Sequence, residues 1–262
     1  MTLDLERYFD RIGWRGERTP TLATLAGVVR HHVEAVPFEN LDVLLRRPIR
    51  LDLDALAAKL VTARRGGYCF EHATLVAHVL RELGFAVATH SARVIMLKPK
   101  AECPRTHMFL TVALPEGTFV VDPGFGGLAP RAPLPLDGSH VRVGDDEHWL
   151  ARDGGDTILM ARTPDKVVAA WTTTLERDFP IDFALANHYT STHPDSAFTQ
   201  RLLARSYTPD GKLTVMNRDV TLAGRSWQLA NRGELRDLVA KSFGFDLPEI
   251  SDLAIPSLAE WQ

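Results

Sequence analysis

Arg64-Arg65-Gly66-Gly67-Tyr68-Cys69-Phe70-Glu71 is the stretch on which the reading of this chain turns. Two glycines give the backbone freedom for a sharp turn. The apolar spacing that follows, Phe70, Ala73, Val76, Ala77 and Leu80 up to Gly84, predicts a helix starting at the cysteine. The unpaired N–H groups and positive dipole end of that helix favour a thiolate at Cys69. A free thiol with a pKa near ~8.5 is only a few per cent ionised at pH 7, so lowering it by about two units raises the reactive population roughly thirtyfold. On these residues alone, a nucleophile and a small buried hydrophobe are equally good accounts of Cys69.

Upstream, the chain reads as helical. Leu5, Tyr8, Phe9 and Ile12 recur at helical spacing and stop at Gly13, and Thr19-Pro20 reads as the cap and first-turn proline of a helix carrying Leu22, Leu25, Val29 and Val33. A third helix carries Leu53, Leu56 and Leu60 and ends near Arg65-Gly66-Gly67. From Phe85 the pattern changes to short β-branched or alternating runs at 87–95, 107–114 and 118–121, separated by Pro and Gly, which predict an antiparallel sheet or barrel. Further strands are expected at 141–143, 157–161 and 166–173, a helix near 182–189, strands at 202–207, 212–216 and 219–222, and a helix over 234–242. No repeat or linker interrupts the pattern, so any separate units pack together.

His107 opens the second of those runs and Asp122 closes the third. The turn Pro115-Glu116-Gly117 makes them a hairpin; pairing Leu114 with Gly117 sets His107 opposite position 124, two places past Asp122. Direct opposition of His107 and Asp122 takes a register two places away, within the margin of a turn read from sequence, and such a hairpin lets Asp122 accept from one imidazole nitrogen while the other faces a nucleophile, in the order Cys, His, Asp. Singly, neither residue is informative: the chain has ten histidines, and Asp122-Pro123-Gly124 is an ordinary turn starter. The glycine-rich Gly124-Phe125-Gly126-Gly127 that follows can bring backbone amides close to an anion.

The 262 residues are 45% hydrophobic and 24% charged, with a net charge of −3, which suits a globular protein with a sizeable core. No block of like charge suggests a nucleic-acid or membrane patch, so a small-molecule substrate fits better. The first residues, Met1-Thr2-Leu3-Asp4-Leu5-Glu6, do not read as a secretory signal, and no apolar run approaches the ~18 residues that span a bilayer. The expectation is a cytoplasmic protein whose two cysteines, Cys69 and Cys103, stay unpaired. Oligomeric state is not legible.

Taken together, Arg65-Gly66-Gly67-Tyr68-Cys69-Phe70-Glu71, Val36-Pro37-Phe38-Glu39-Asn40-Leu41, His107, Asp122-Pro123-Gly124-Phe125-Gly126 and Asn187-His188-Tyr189-Thr190-Ser191-Thr192-His193-Pro194-Asp195-Ser196-Ala197-Phe198 resemble the arylamine N-acetyltransferase family, in the order expected for it. The resemblance implies an α+β fold: a helical domain over 1–84 carrying the nucleophile, a central antiparallel β-barrel over 85–190 carrying His and Asp, and a C-terminal α/β lid over 191–262, with a cysteine-protease-like Cys-His-Asp triad. It implies catalysis by Cys69, His107 and Asp122, and acetyl transfer through an acetyl-Cys69 thioester to an arylamine, arylhydrazine or arylhydroxylamine. Acetyl-coenzyme A would be the co-substrate, with no permanently bound cofactor or metal. Phe38 and Phe125 would line the acceptor pocket and Gly124, Gly126 and Gly127 would lie near the coenzyme's phosphates, while core packing is an equal account of Phe38. Arg65 and Glu71 read as supports of the nucleophile turn. Position 123 departs from the family, which more often has valine there: Pro123 has no N–H to offer a ligand.

An amide synthase of the same fold, differing only in pocket shape, and a cysteine hydrolase using the same triad remain open at this level. A metal site built on Cys69-x-x-His72 with His107 lacks matching soft ligands, since Cys103 stands in the polar stretch 98–106. A binding module without catalysis would leave Cys69 no more reactive than Cys103.

Overall fold

In the computed structural model, which describes residues 3–258 and Trp261, the predicted helical faces pack on one another. α1 (Leu5–Ile12) ends at Gly13, in the left-handed region at φ +70°. α2 (Leu22–Ala35) is capped by Thr21, whose hydroxyl accepts the Thr24 N–H at 3.2 Å. The cap therefore stands two residues later than Thr19, with Pro20 outside the helix, because Thr21 itself reaches the free amide. A two-residue strand β1 (Phe38–Glu39), α3 (Leu41–Leu44) and α4 (Leu53–Leu56) follow, and α4 continues as a π-helical stretch over Ala57–Thr62. α5 (Cys69–Glu82) starts at the cysteine as predicted, with Gly84 beyond its end at φ +87°. Tyr8, Phe9, Leu25, Val29, Val33, Leu60, Phe70, Ala73, Val76 and Leu80 form one buried core.

Eight strands make the second layer: β2 (Ala86–Val94), β3 (Arg105–Leu114), β4 (Gly117–Val121), β5 (Leu134–Pro135), β6 (Val141–Val143), β7 (Asp146–Asp153), β8 (Asp156–Arg162) and β9 (Val167–Thr173). They run antiparallel in the order β5-β4-β3-β2-β9-β8-β7-β6, and the sheet curls until β5 lies beside β7, nearly closing a barrel around Phe109, Val120, Leu150, Leu159 and Trp171. β7 was not anticipated. Its inward positions are Asp146, His148 and Leu150, two of them polar, and on the outer face Glu147 is buried under His140, Arg142 and Arg162 beside Trp149, so the apolar alternation that marks a strand is absent.

After α6 (Pro180–Thr192) and α7 (Ala197–Gln200), β10 (Leu203–Thr208), β11 (Gly211–Met216), β12 (Asp219–Leu222) and β13 (Arg225–Gln228) form an antiparallel meander. All four residues of β13 are exposed, which is why no apolar pattern announced it. α8 (Arg232–Leu238), prolonged as a π-helical stretch over Val239–Phe243, packs beneath this sheet. β1 joins the same sheet, Phe38 pairing with Arg205, so a piece of the N-terminal region is built into the C-terminal one, and residue 190 falls inside α6. Among the described residues no helix is long and apolar enough to cross a membrane.

Candidate active site

The turn before Cys69 owes its shape to close packing. The left-handed residue is Arg64 at φ +54°, and neither Gly66 nor Gly67 has positive φ, which corrects the expectation that the glycines supply backbone freedom. A Cβ on Gly66 would lie 2.2 Å from the Pro37 carbonyl oxygen, so β1 can approach only a glycine. Behind the turn lies a buried ion network. Arg65 donates to Glu39 at 3.0 Å and Asp42 at 2.9 Å, and Lys59 reaches Asp42 and Glu71 at 2.8 Å each. Glu71 in turn accepts the Tyr68 N–H at 3.0 Å, and the Tyr68 hydroxyl hydrogen-bonds the Asn187 side chain on α6. Arg65 and Glu71 are thus supports of the turn, as expected.

A second buried chain fixes the next turn of α5. His72 Nε2 faces the carbonyls of Pro37 (3.1 Å) and Gly67 (3.2 Å), which can only accept, so this nitrogen carries the proton. Its Nδ1 must then accept from His32 Nε2–H (2.8 Å), leaving His32 Nδ1 to accept the Tyr8 hydroxyl (2.9 Å). The order of protons is fixed and both rings are neutral. Burial lowers both pKa values, that of His72 to about 3 and that of His32 well below its usual value. With both nitrogens engaged, His72 has none left to ligate a metal.

His107 arrives from the barrel. β2 and β3 change register there, Ala92 facing His107 and Arg93 facing Arg105, so Thr106 is an extra residue in a bulge. Its carbonyl stands 3.8 Å from Cys69 Sγ. β3 and β4 pair Leu114 with Gly117 and Leu110 with Val121, so the strands take the register of that turn and not the one that sets His107 directly opposite Asp122. Asp122, just past β4, accepts from His107 Nε2 at 2.8 Å, which leaves Nδ1 for the neighbouring Cys69 sulfur. Cys69, His107 and Asp122 are 3%, 2% and 1% exposed. Burial opposes charge on His107, but the Asp122 carboxylate and the Cys69 sulfur outweigh it and push its pKa up to about 10, so the ring is an imidazolium at neutral pH. Trp171 on β9, not anticipated from the sequence, donates Nε1–H to the same carboxylate oxygen at 2.8 Å and stacks on Phe109 at 4.5 Å. It lies 49 residues from Asp122 with no local signal to connect them.

The glycine-rich segment closes the site. The Gly124 N–H donates to Asp122 Oδ1 at 3.4 Å, and a Cβ there would come 2.7 Å from Cys69 Cα, so this glycine lets the loop rest on the Cys69 backbone. Phe125 sets its ring edge-on to His107 at 4.8 Å. Phe38 is 6% exposed, stacked on His72 and tilted against Phe198, so its ring belongs chiefly to the core. The carbonyls of Gly126 and Gly127 are each held at 3.0 Å, by Arg205 Nε and Lys212 Nζ. This leaves amides as what Gly126 and Gly127 can offer an anion.

Residues 21–252 match the model of the N-acetyltransferase family, the class to which a helical unit set on an antiparallel barrel around a buried Cys, His and Asp points. The chain is 40% identical to the arylamine N-acetyltransferase of Mycobacterium tuberculosis, over 96% of this chain and 93% of that protein. It is 38% identical to the arylamine N-acetyltransferase / N-hydroxyarylamine O-acetyltransferase of Salmonella typhimurium, over 83% of this chain and 78% of that protein. The structure of Mycobacterium marinum arylamine N-acetyltransferase in complex with CoA superposes with a TM-score of 0.89 at 34% identity, covering 94% of both chains. The chain belongs to the arylamine N-acetyltransferase family.

Proposed function

We propose that this protein transfers the acetyl group of acetyl-coenzyme A to an arylamine, arylhydrazine or arylhydroxylamine, with Cys69 as nucleophile, His107 as acid and base, and Asp122 as the residue that orients and charges His107. The observation that carries this reading is the buried line from Cys69 through His107 to Asp122, with the imidazolium favoured by the groups on both sides of it. The Cys69 sulfur attacks the thioester carbon; the bond to the coenzyme's sulfur breaks, and His107 Nδ1 gives the leaving thiolate its proton. The acceptor nitrogen then attacks acetyl-Cys69, its proton passes to His107, and the carbon–sulfur bond to Cys69 breaks. The amides at the start of α5 precede its first internal hydrogen bond, from His72 N–H to Tyr68 O, and are the natural donors to the tetrahedral oxyanion.

Phe125, beside His107, lines the acceptor side, with Phe38 a smaller part of that wall, and the amides of Gly126 and Gly127 face the coenzyme, that of Gly124 being turned to Asp122. The division at 84 and 190 is kept as a functional one: nucleophile, then base and orienting acid, then lid. A cytoplasmic location fits the two free cysteines, which stay reduced there. An initial-rate study with acetyl-coenzyme A and an aniline tests the whole: parallel double-reciprocal lines are expected, with coenzyme A released in step with aniline acetylated. Converging lines, or release at the same rate without aniline, would contradict it, the latter by making the protein a hydrolase.

A further inference from the structure

Arg205 is the most unusual charge in the molecule. It is 1% exposed, and among the described residues no carboxylate pairs with it. Its Nε donates to the Gly126 carbonyl at 3.0 Å and its Nη1 to the Val33 carbonyl in the last turn of α2 at 2.5 Å; Nη2 is buried without a partner, and the guanidinium lies 5.1 Å from the centre of the Tyr207 ring. A buried guanidinium without a counter-charge costs stability, and an apolar residue of similar size would pack there as well or better. What such a residue would lose is the grip on Gly126. The neighbouring carbonyl, Gly127, is held by Lys212 of β11, whose ammonium is anchored to Asp146 at 2.8 Å. Two cations of the C-terminal sheet therefore hold two consecutive carbonyls, and the residue just before them is Phe125, whose ring covers His107.

We propose that Arg205 and Lys212 are positioning residues that hold the Phe125 loop as a cover over His107, so that acetyl-Cys69 waits for an amine and is protected from water. The proposal rests on the acetyl-Cys69 reading above. Hydrolysis is the competing reaction: a water oxygen attacks the thioester carbon, His107 takes a proton from that water, the bond to Cys69 sulfur breaks, and acetate leaves. The same base serves both acceptors, so the enzyme can discriminate by what the cover admits. Among the described residues the hydrogen bonds of Arg205 and Lys212 go to Gly126, Val33, Gly127 and Asp146 and to none of Cys69, His107 and Asp122, so both act through Gly126 and Gly127.

The test is the fate of the acetyl-enzyme. Wild type, Arg205→Met, Lys212→Met and Lys212→Arg are acetylated with acetyl-coenzyme A, freed of donor, and followed by intact mass with and without an aniline. In both methionine variants hydrolysis without acceptor is expected to quicken about tenfold, the size of effect one lost hydrogen bond can have, and the ratio of transfer to hydrolysis falls accordingly. Lys212→Arg, which keeps a donor to Gly127, restores the ratio. General damage to the fold slows both reactions together, so an unchanged ratio in the variants overturns the proposal. If Arg205→Met does not fold, Lys212→Met decides. A wild type that never acetylates contradicts the underlying reading, a result distinct from either.

Discussion

The turn before Cys69 and the glycine loop meet at Cys69, yet they are held in opposite ways. The turn is fixed from behind by groups that pair with one another, the Arg65, Lys59, Glu39, Asp42 and Glu71 network, in which Arg65 Nε alone is left over, and the Tyr8, His32 and His72 chain. The loop's own backing is one short turn, in which the Leu128 N–H donates to the Phe125 carbonyl at 3.2 Å and the Ala129 N–H to the Gly126 carbonyl at 3.3 Å. It rests on Cys69 through Gly124, and its carbonyls depend on Arg205 and Lys212, which reach in from another sheet. A nucleophile has to stand in one place, whereas a loop that covers it has to admit substrates, and the two kinds of support match those demands.

The sharpest way to break this comparison is to force the two regions apart. In Gly124→Ala the new methyl carbon would lie 2.7 Å from Cys69 Cα and 3.1 Å from the Cys69 carbonyl oxygen, both backbone atoms that cannot swing aside. Cys69 alkylation by iodoacetamide at pH 7 is expected to slow about a hundredfold, the usual consequence of displacing a reacting group by about 1 Å. A wild-type rate would mean that the loop does not press on the nucleophile. Asp122→Asn acts between the regions. It exchanges the anionic partner of His107 for a neutral amide, so the imidazolium loses the support that lifts it to about 10. Alkylation at pH 7 should slow at least about tenfold, and the deficit should shrink above pH ~8.5, where an unassisted thiol ionises by itself. A folded variant with an unchanged pH profile would reduce Asp122 to a turn residue.

The support behind the turn has its own signature in stability. Burial keeps His72 and His32 neutral, with His72 near 3, whereas in the unfolded chain each binds a proton below about 6.5. The unfolded state therefore gains protons that the folded state refuses. The stability these two histidines allow is complete above about pH 6.5 and falls as the pH drops below it, by up to about 1.4 kcal/mol per unit for each. Urea titrations between pH 5 and 6.5 read that slope; a flat profile would mean that the rings are charged in the folded protein. The smallest effect is expected from Gly127→Ala, whose methyl carbon would meet Thr214 at an ordinary 3.7 Å. Stability should stay within about 0.5 kcal/mol, so any rise in the KM for acetyl-coenzyme A would report a coenzyme contact at that amide and nothing else.

Much of the site was legible because its members stand at places with local signals. Cys69 opens a helix after a glycine pair, and His107 and Asp122 flank a hairpin whose turn at 115–117 the sequence predicts and the strands adopt. Trp171 and Arg205 were not legible, since each meets the site through sheet pairings that no local pattern encodes, and a lone arginine in an alternating strand reads as solvent-facing. His32 and His72 looked like two of ten histidines until their partners fixed which nitrogen holds each proton. The same limit applies to the fold. The helical core followed from period and caps, while β7 and β13 escaped because one buries a paired charge and the other buries nothing.

The two cysteines offer the most direct test of the central claim. Both are buried and free, but Cys69 meets the His107 ring and the start of α5, whereas the Cys103 thiol hydrogen-bonds the carbonyls of Lys98 and Pro99 at 3.5 and 3.3 Å. Mixing the protein with acetyl-coenzyme A and weighing it intact should show one added acetyl group, mapped to Cys69 by peptide digestion and absent in Cys69→Ala. An acetyl group that persists in Cys69→Ala, or that maps to Cys103, would contradict the account.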